Sequence, residues 1–160
     1  MNQEKLIKAG FKIKNNSTEL EIPKSLLKRY NNLPIEYLTF LKNFEEITNE
    51  NDTAWFNLIK EFNGNSESEF KWNEFELLSL EWSEDDNEEL KVITGFWNHH
   101  IPIILSVKDE YQFLAISLEK EKYGEIVHGT EPEFENIKKV CNNFNELIDL
   151  LEKKELKNIV

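Results

Sequence analysis

Residues 101–118, IPIILSVKDEYQFLAISL, limit what this chain can fold into more than any other stretch. They divide into two apolar runs around the polar turn Lys108-Asp109-Glu110. Strict alternation over a few residues marks a strand, because successive side chains point to opposite faces. In the first run this rule puts Ile101, Ile103, Leu105 and Val107 on one face, and Pro102, Ile104 and Ser106 on the other. In the second it sets Tyr111, Phe113 and Ala115 against Leu114, Ile116 and Leu118. Both faces are apolar, so each needs a covering layer and the hairpin belongs inside a sheet. Pro102 lacks a ladder donor and is expected early in its strand or at an unpaired position.

The 160 residues suit a single domain, burying roughly 70% of the unfolded chain's surface. No apolar run reaches the ~20 residues of a membrane span, and MNQEKLIKAGF lacks the apolar core of a signal peptide. Cys141 is the sole cysteine, which rules out an internal disulfide. A reducing, cytoplasmic setting is the natural expectation, with Cys141 a small buried hydrophobe beside Val140 rather than a nucleophile.

Charge narrows the choice of partners. The net charge is −12, from 31 acidic and 19 basic side chains. Residues 61–90 hold eleven acids against the single base Lys71, whereas residues 1–30 hold three acids and seven bases. Such a chain is ill-suited to nucleic acid or an anionic membrane and is drawn to a basic partner. The plainer alternative is that the acidity only secures solubility.

Along the chain, Phe11-Lys12-Ile13-Lys14 alternates as a short edge strand. Ile22-Pro23 opens a helix with Leu26, Leu27 and Tyr30 at helical spacing, ended by Asn31-Asn32. Leu33-Pro34 opens another, whose stripe is Tyr37, Leu38, Leu41 and Phe44 with Phe40 alongside; this stripe is expected on the hairpin sheet. The polar run 49–52 interrupts the pattern. Residues 53–59 are rich in strand formers and precede the turn signal Asn63-Gly64.

Trp72, Phe75, Leu78 and Trp82 predict a helix over 72–82. Ser83 with Asp86 fits a capping box opening the next helix, which carries Leu90, Ile93 and Trp97. After the hairpin, residues 123–129 and 137–141 read as two further strands. Asn143 then caps a closing helix with Glu146 at its third position and Phe144, Leu147, Ile148 and Leu151 on one face. Lys153, Lys154 and Lys157 suit that helix's negative end. The class is α+β: a mainly antiparallel central sheet flanked by N-terminal, middle and C-terminal helices.

The signatures of catalysis are missing. The five glycines are scattered, so no phosphate-cradling loop forms. His99 and His100 are adjacent, and neighbours on a helix point about 100° apart, which does not suit chelation. His128 reads as a structural strand histidine. Glu84-Asp85-Asp86 and Glu88-Glu89 lack the spacing and central glycine of a calcium loop, and fit a solvated helix start better. Glu131, Glu133 and Glu135, beside Pro132 and Phe134, read as an exposed acidic loop or strand edge. The expectation is a non-enzyme with no metal or cofactor.

Aromatic residues are the unusual asset, with Trp55, Trp72, Trp82 and Trp97 clustered around the acidic segment. Most of them sit at core spacing. One or two lying among the acids would make a recognition surface with an apolar centre and a negative rim. The candidate partner-binding residues are therefore Trp55, Trp72, Trp82, Glu84, Asp85, Asp86, Glu88 and Glu89.

Three segments, in order, resemble the SUKH superfamily of Smi/Knr-like proteins, which includes bacterial immunity proteins and fungal regulators of cell-wall synthesis. Leu33-Pro34-Ile35-Glu36-Tyr37-Leu38-Thr39-Phe40-Leu41 is similar to its L-P-x-x-Y-x-x-F-L helix. The hairpin followed by Tyr123-Gly124-Glu125-Ile126 resembles its central strands and G-x-I turn. Asn143-Phe144-Asn145-Glu146-Leu147-Ile148 resembles its closing helix. Phe44-Glu45-Glu46 stands where many members have a glycine-containing turn, and residues 61–98 exceed the minimal family core. The resemblance implies an α+β fold without catalysis and a cytoplasmic immunity role, neutralising a cognate toxin domain, often a nuclease, by contact. A basic toxin would match the acidic segment. The alternative is a regulatory or scaffolding module unrelated to toxins.

Overall fold

The computed structural model describes residues 2–18, 20–65, 69–131 and 136–160. Residues 132–135, and with them most of the expected acidic loop, lie outside that set. The elements run α1 (Asn2–Ala9), β1 (Phe11–Asn15), α2 (Lys24–Arg29), α3 (Ile35–Asn43), β2 (Phe44–Asn49), β3 (Ala54–Phe56) and α4 (Ile59–Phe62). There follow α5 (Glu74–Trp82), α6 (Asn87–His99), β4 (His100–Ser106), β5 (Gln112–Ser117), β6 (Ile126–Thr130), β7 (Lys138–Cys141) and α7 (Phe144–Glu152). The strands form one antiparallel sheet in chain order, β1 to β7, with the β4–β5 hairpin inside it. The α+β class holds.

Each face of the sheet has its own core. On the first face, side chains of α1, α2, α3, α4 and α7 pack with Ile101, Ile104, Leu114 and Ile116. On the second, Phe75 of α5 and Ile93 and Trp97 of α6 pack on Leu105, Phe113, Ala115 and Val127. The second layer therefore covers the middle of the sheet and contributes no core residue over β1 and β2.

The faces of β5 follow the alternation, with Phe113 and Ala115 opposite Leu114 and Ile116. Those of β4 do not. Pro102 pairs with Ala115 and Ile104 with Leu114, leaving Ile103 as an extra residue. This bulge turns Ile101, Ile103 and Ile104 towards the first core and Leu105 towards the second. Pro102 sits beside the break, where it deprives the ladder of little. Asn57 fills the gap: its amide N donates to the Ile103 carbonyl at 2.9 Å and its Nδ2 to the Pro102 carbonyl at 3.0 Å.

Helix α7 buries Phe144, Leu147, Ile148 and Leu151, and the Asn143 side chain accepts from the Glu146 amide. Burying each such apolar side chain is worth about 1.5–3 kcal/mol, so this face alone fixes the helix on the sheet. Helix α1, which the periodicity does not announce, leans on α7 through Leu6 and the ion pairs Lys5–Asp149 and Lys8–Glu152, the latter at 2.9 Å.

Three further expectations are corrected. Phe44 ends the helical stripe in sequence but opens strand β2. The strand expected over 53–59 is confined to Ala54–Phe56, because Ile59 already begins α4. Ser83 closes α5 instead of capping α6; the cap is Asp86, whose carboxylate accepts from the amides of Glu88 and Glu89 at 3.0 and 3.1 Å.

Candidate partner-binding site

The candidate residues lie mainly at one end of the α5–α6 hairpin. Trp82 is the last residue of α5 and is 80% exposed. The connection that follows and the first turn of α6 expose Glu84, Asp85, Asp86, Glu88 and Glu89. An indole in water beside five carboxylates is therefore a surface feature, not a core residue at an odd angle. The spacing groups Trp82 with Trp72 and Phe75; in the structure Phe75 is buried, Trp72 is half-buried and Trp82 is exposed.

Two further apolar side chains of the same hairpin are exposed, Leu77 on α5 and Val92 on α6. Val92 lies three and four residues beyond Glu89 and Glu88, hence over the same helical face. Sequence reasoning missed both. The signal was available for Val92, which falls off the Leu90-Ile93-Trp97 stripe.

The hairpin is held from behind. Trp97 is fully buried between Phe113, 4.9 Å away, and Phe96, 5.0 Å away, by ring centroids. The Tyr30 hydroxyl donates to the Trp97 carbonyl at 2.9 Å. The Ser79 hydroxyl donates to the Glu131 carboxylate at 2.8 Å, tying α5 to the end of β6. A hairpin anchored in this way lowers the backbone ordering cost of presenting its tip to a partner.

Trp72 and Trp55 lie elsewhere. Trp72 is half-buried, its ring 5.2 Å from Phe62 and 6.3 Å from Tyr30, with the Arg29 guanidinium 5.7 Å from its centroid. It acts as a wedge between the helices. Trp55 lies opposite Thr48 and Leu105 in the sheet and touches Phe70 at 5.9 Å. The ring centroids run on from Phe70 to Tyr111 and Phe75, a row of aromatic contacts along the border of the second layer.

The remaining titratable groups are placed structurally. His100 stacks on Phe96 at 4.2 Å, its Nδ1 2.9 Å from the Phe96 carbonyl, and burial holds it below the usual imidazole range. His128 Nε2 lies 2.8 Å from the Gln112 side-chain oxygen and is lowered for the same reason. Cys141 is buried, and burial pushes its thiol up to about 11, far from the thiolate a nucleophile needs. Among the described residues no group of three or more His, Cys, Asp or Glu is placed to hold a metal ion, and no helix is long and apolar enough to cross a membrane. No family model matches the chain, and a comparison with curated proteins finds no match.

Proposed function

We propose that this protein is an immunity protein of the SUKH type, which binds a cognate toxin domain in the cytoplasm and blocks it by contact alone. The observation that carries the reading is Trp82, an exposed indole at the end of α5, followed directly by the exposed carboxylates of Glu84, Asp85, Asp86, Glu88 and Glu89 in the connection and first turn of α6. Tryptophan is among the residues that most often dominate interface energy when they fill a partner's pocket. The carboxylates steer a basic partner towards the tip and raise its association rate. A nuclease fits that description, since holding phosphate requires positive charge around its active site. The three sequence segments resembling the superfamily support the same reading.

The test is to look for a toxin domain encoded next to this gene and to co-express the two. The reading predicts that wild-type protein rescues growth and Trp82→Ala protein does not. Failure of the wild-type protein to rescue, with both proteins present and folded, would refute it and favour a scaffolding role on some other partner.

A further inference from the structure

A second feature lies at the part of the sheet that the α5–α6 layer leaves uncovered. β2 and β3 pair at a single register position, Thr48 with Trp55, and a cleft of about 660 Å³ opens between these strands, α4 and Phe70. Four carboxylates line it, those of Glu46, Asp52, Glu61 and Glu69, against one ammonium, Lys60. Lys60 approaches Glu46 only to 3.8 Å, and Lys12 reaches Asp52 at 3.6 Å. Both are longer than a hydrogen bond. Asp52 also accepts from the Thr48 hydroxyl and Glu61 from the Leu58 amide, each at 2.9 Å, so the uncompensated negative charge rests mainly on Glu46 and Glu69.

The aromatic wall is the independent observation. The rings of Trp55 and Phe70 meet edge to face at 5.9 Å and border the same cleft. The Trp55 indole nitrogen is buried and has no acceptor among the described residues. Burial also raises the Glu61 carboxyl above its usual range, with Glu46 adding to the effect, so a cation entering the cleft would be welcomed by both.

We propose that this cleft binds an arginine side chain of a polypeptide partner, its guanidinium between the aromatic wall and the Glu46 and Glu69 carboxylates. Arginine fits better than lysine because its planar fork both stacks on rings and pairs with carboxylates. The partner's identity as a toxin rests on the reading above; the preference for arginine does not.

The test follows the indole N–H signals of the full-length ¹⁵N-labelled protein, with Trp55 assigned from Trp55→Phe. The probes are acetyl-Gly-Arg-Gly-amide and its citrulline counterpart, equal in size and uncharged. A saturable shift of the Trp55 signal is expected with arginine only, leaving Trp82 unmoved. Glu46→Gln/Glu69→Gln protein, altered at two exposed positions, is expected to need several-fold more peptide. No Trp55 shift, an equal response to citrulline, or an unchanged response in the double variant would each overturn the proposal. An arginine response without toxin rescue refutes the toxin reading alone; rescue without an arginine response refutes the cleft alone.

Discussion

Arg29 of α2 grips Glu76 of α5 through two hydrogen bonds, 2.8 Å from Nη1 and 2.6 Å from Nη2, while its Nε donates to the Asn98 side chain of α6 at 3.1 Å. One guanidinium thus holds both arms of the hairpin that carries Trp82. Glu76 is buried, so truncating it leaves Arg29 facing a desolvated gap. Glu76→Ala is expected to cost about 3 kcal/mol, read as a lower urea midpoint. A midpoint within experimental error of wild type would show that the clamp holds nothing.

Trp82 and Trp97 lie on consecutive helices and have opposite fates. Trp82→Ala removes an exposed ring and is expected to change stability by less than about 0.5 kcal/mol. Trp97→Ala empties a core site and is expected to cost about 3–5 kcal/mol. Only the first should weaken partner binding without touching the thermal transition. Calorimetric melts of the two variants decide it, and a large loss for Trp82→Ala would move that residue into the core.

Gly129 lies opposite Phe113 in the β5–β6 ladder. A Cβ built there comes within 2.3 Å of the Phe113 ring, which the second core has no room to release. Gly129→Ala is therefore expected to destabilise by about 1–3 kcal/mol through overpacking. Combining it with Phe113→Leu should restore part of the loss; strict additivity in the double variant would contradict the contact.

Much of this architecture is legible in the sequence because α7, α6 and the hairpin carry apolar residues at unbroken helical or strand spacing. The strand faces that were misread share one cause. Phe44 and Ile47 both enter the first core although they are three residues apart, and so do Ile101 and Ile104. A bulge at Glu45 in one strand and at Ile103 in the other shifts the alternation by one. Spacing of three looks helical or mismatched until the extra residue is known, and nothing local announces a bulge. The site was legible in composition, since the acidic run and its tryptophans are obvious. That Trp82 alone among the four projects into water is a tertiary fact: α5 buries no residue after Ser79.

Stability should fall on the acid side of neutrality. Burial holds His100 and His128 below about 6.5, so the unfolded chain takes up these protons first as pH drops. Their contribution is complete above about pH 7 and is lost as pH falls through 6.5 towards their folded values. Replacing both, as His100→Phe/His128→Gln, should flatten the difference in unfolding free energy between pH 7 and pH 5.5. An identical slope in wild type and variant would show that neither imidazole is coupled to folding.

Association with the toxin domain across a range of salt concentrations tests the central claim most directly. Asp86 is left alone, because its carboxylate caps α6 and its loss would cost about 1 kcal/mol. For wild type, the rate should be fast at low salt and fall steeply as salt rises. Glu84, Asp85, Glu88 and Glu89 changed together to lysine should slow it by about tenfold or more at low salt, with little salt dependence left. Equal rates for the two proteins, insensitive to salt in both, would contradict recognition through the acidic segment that follows Trp82.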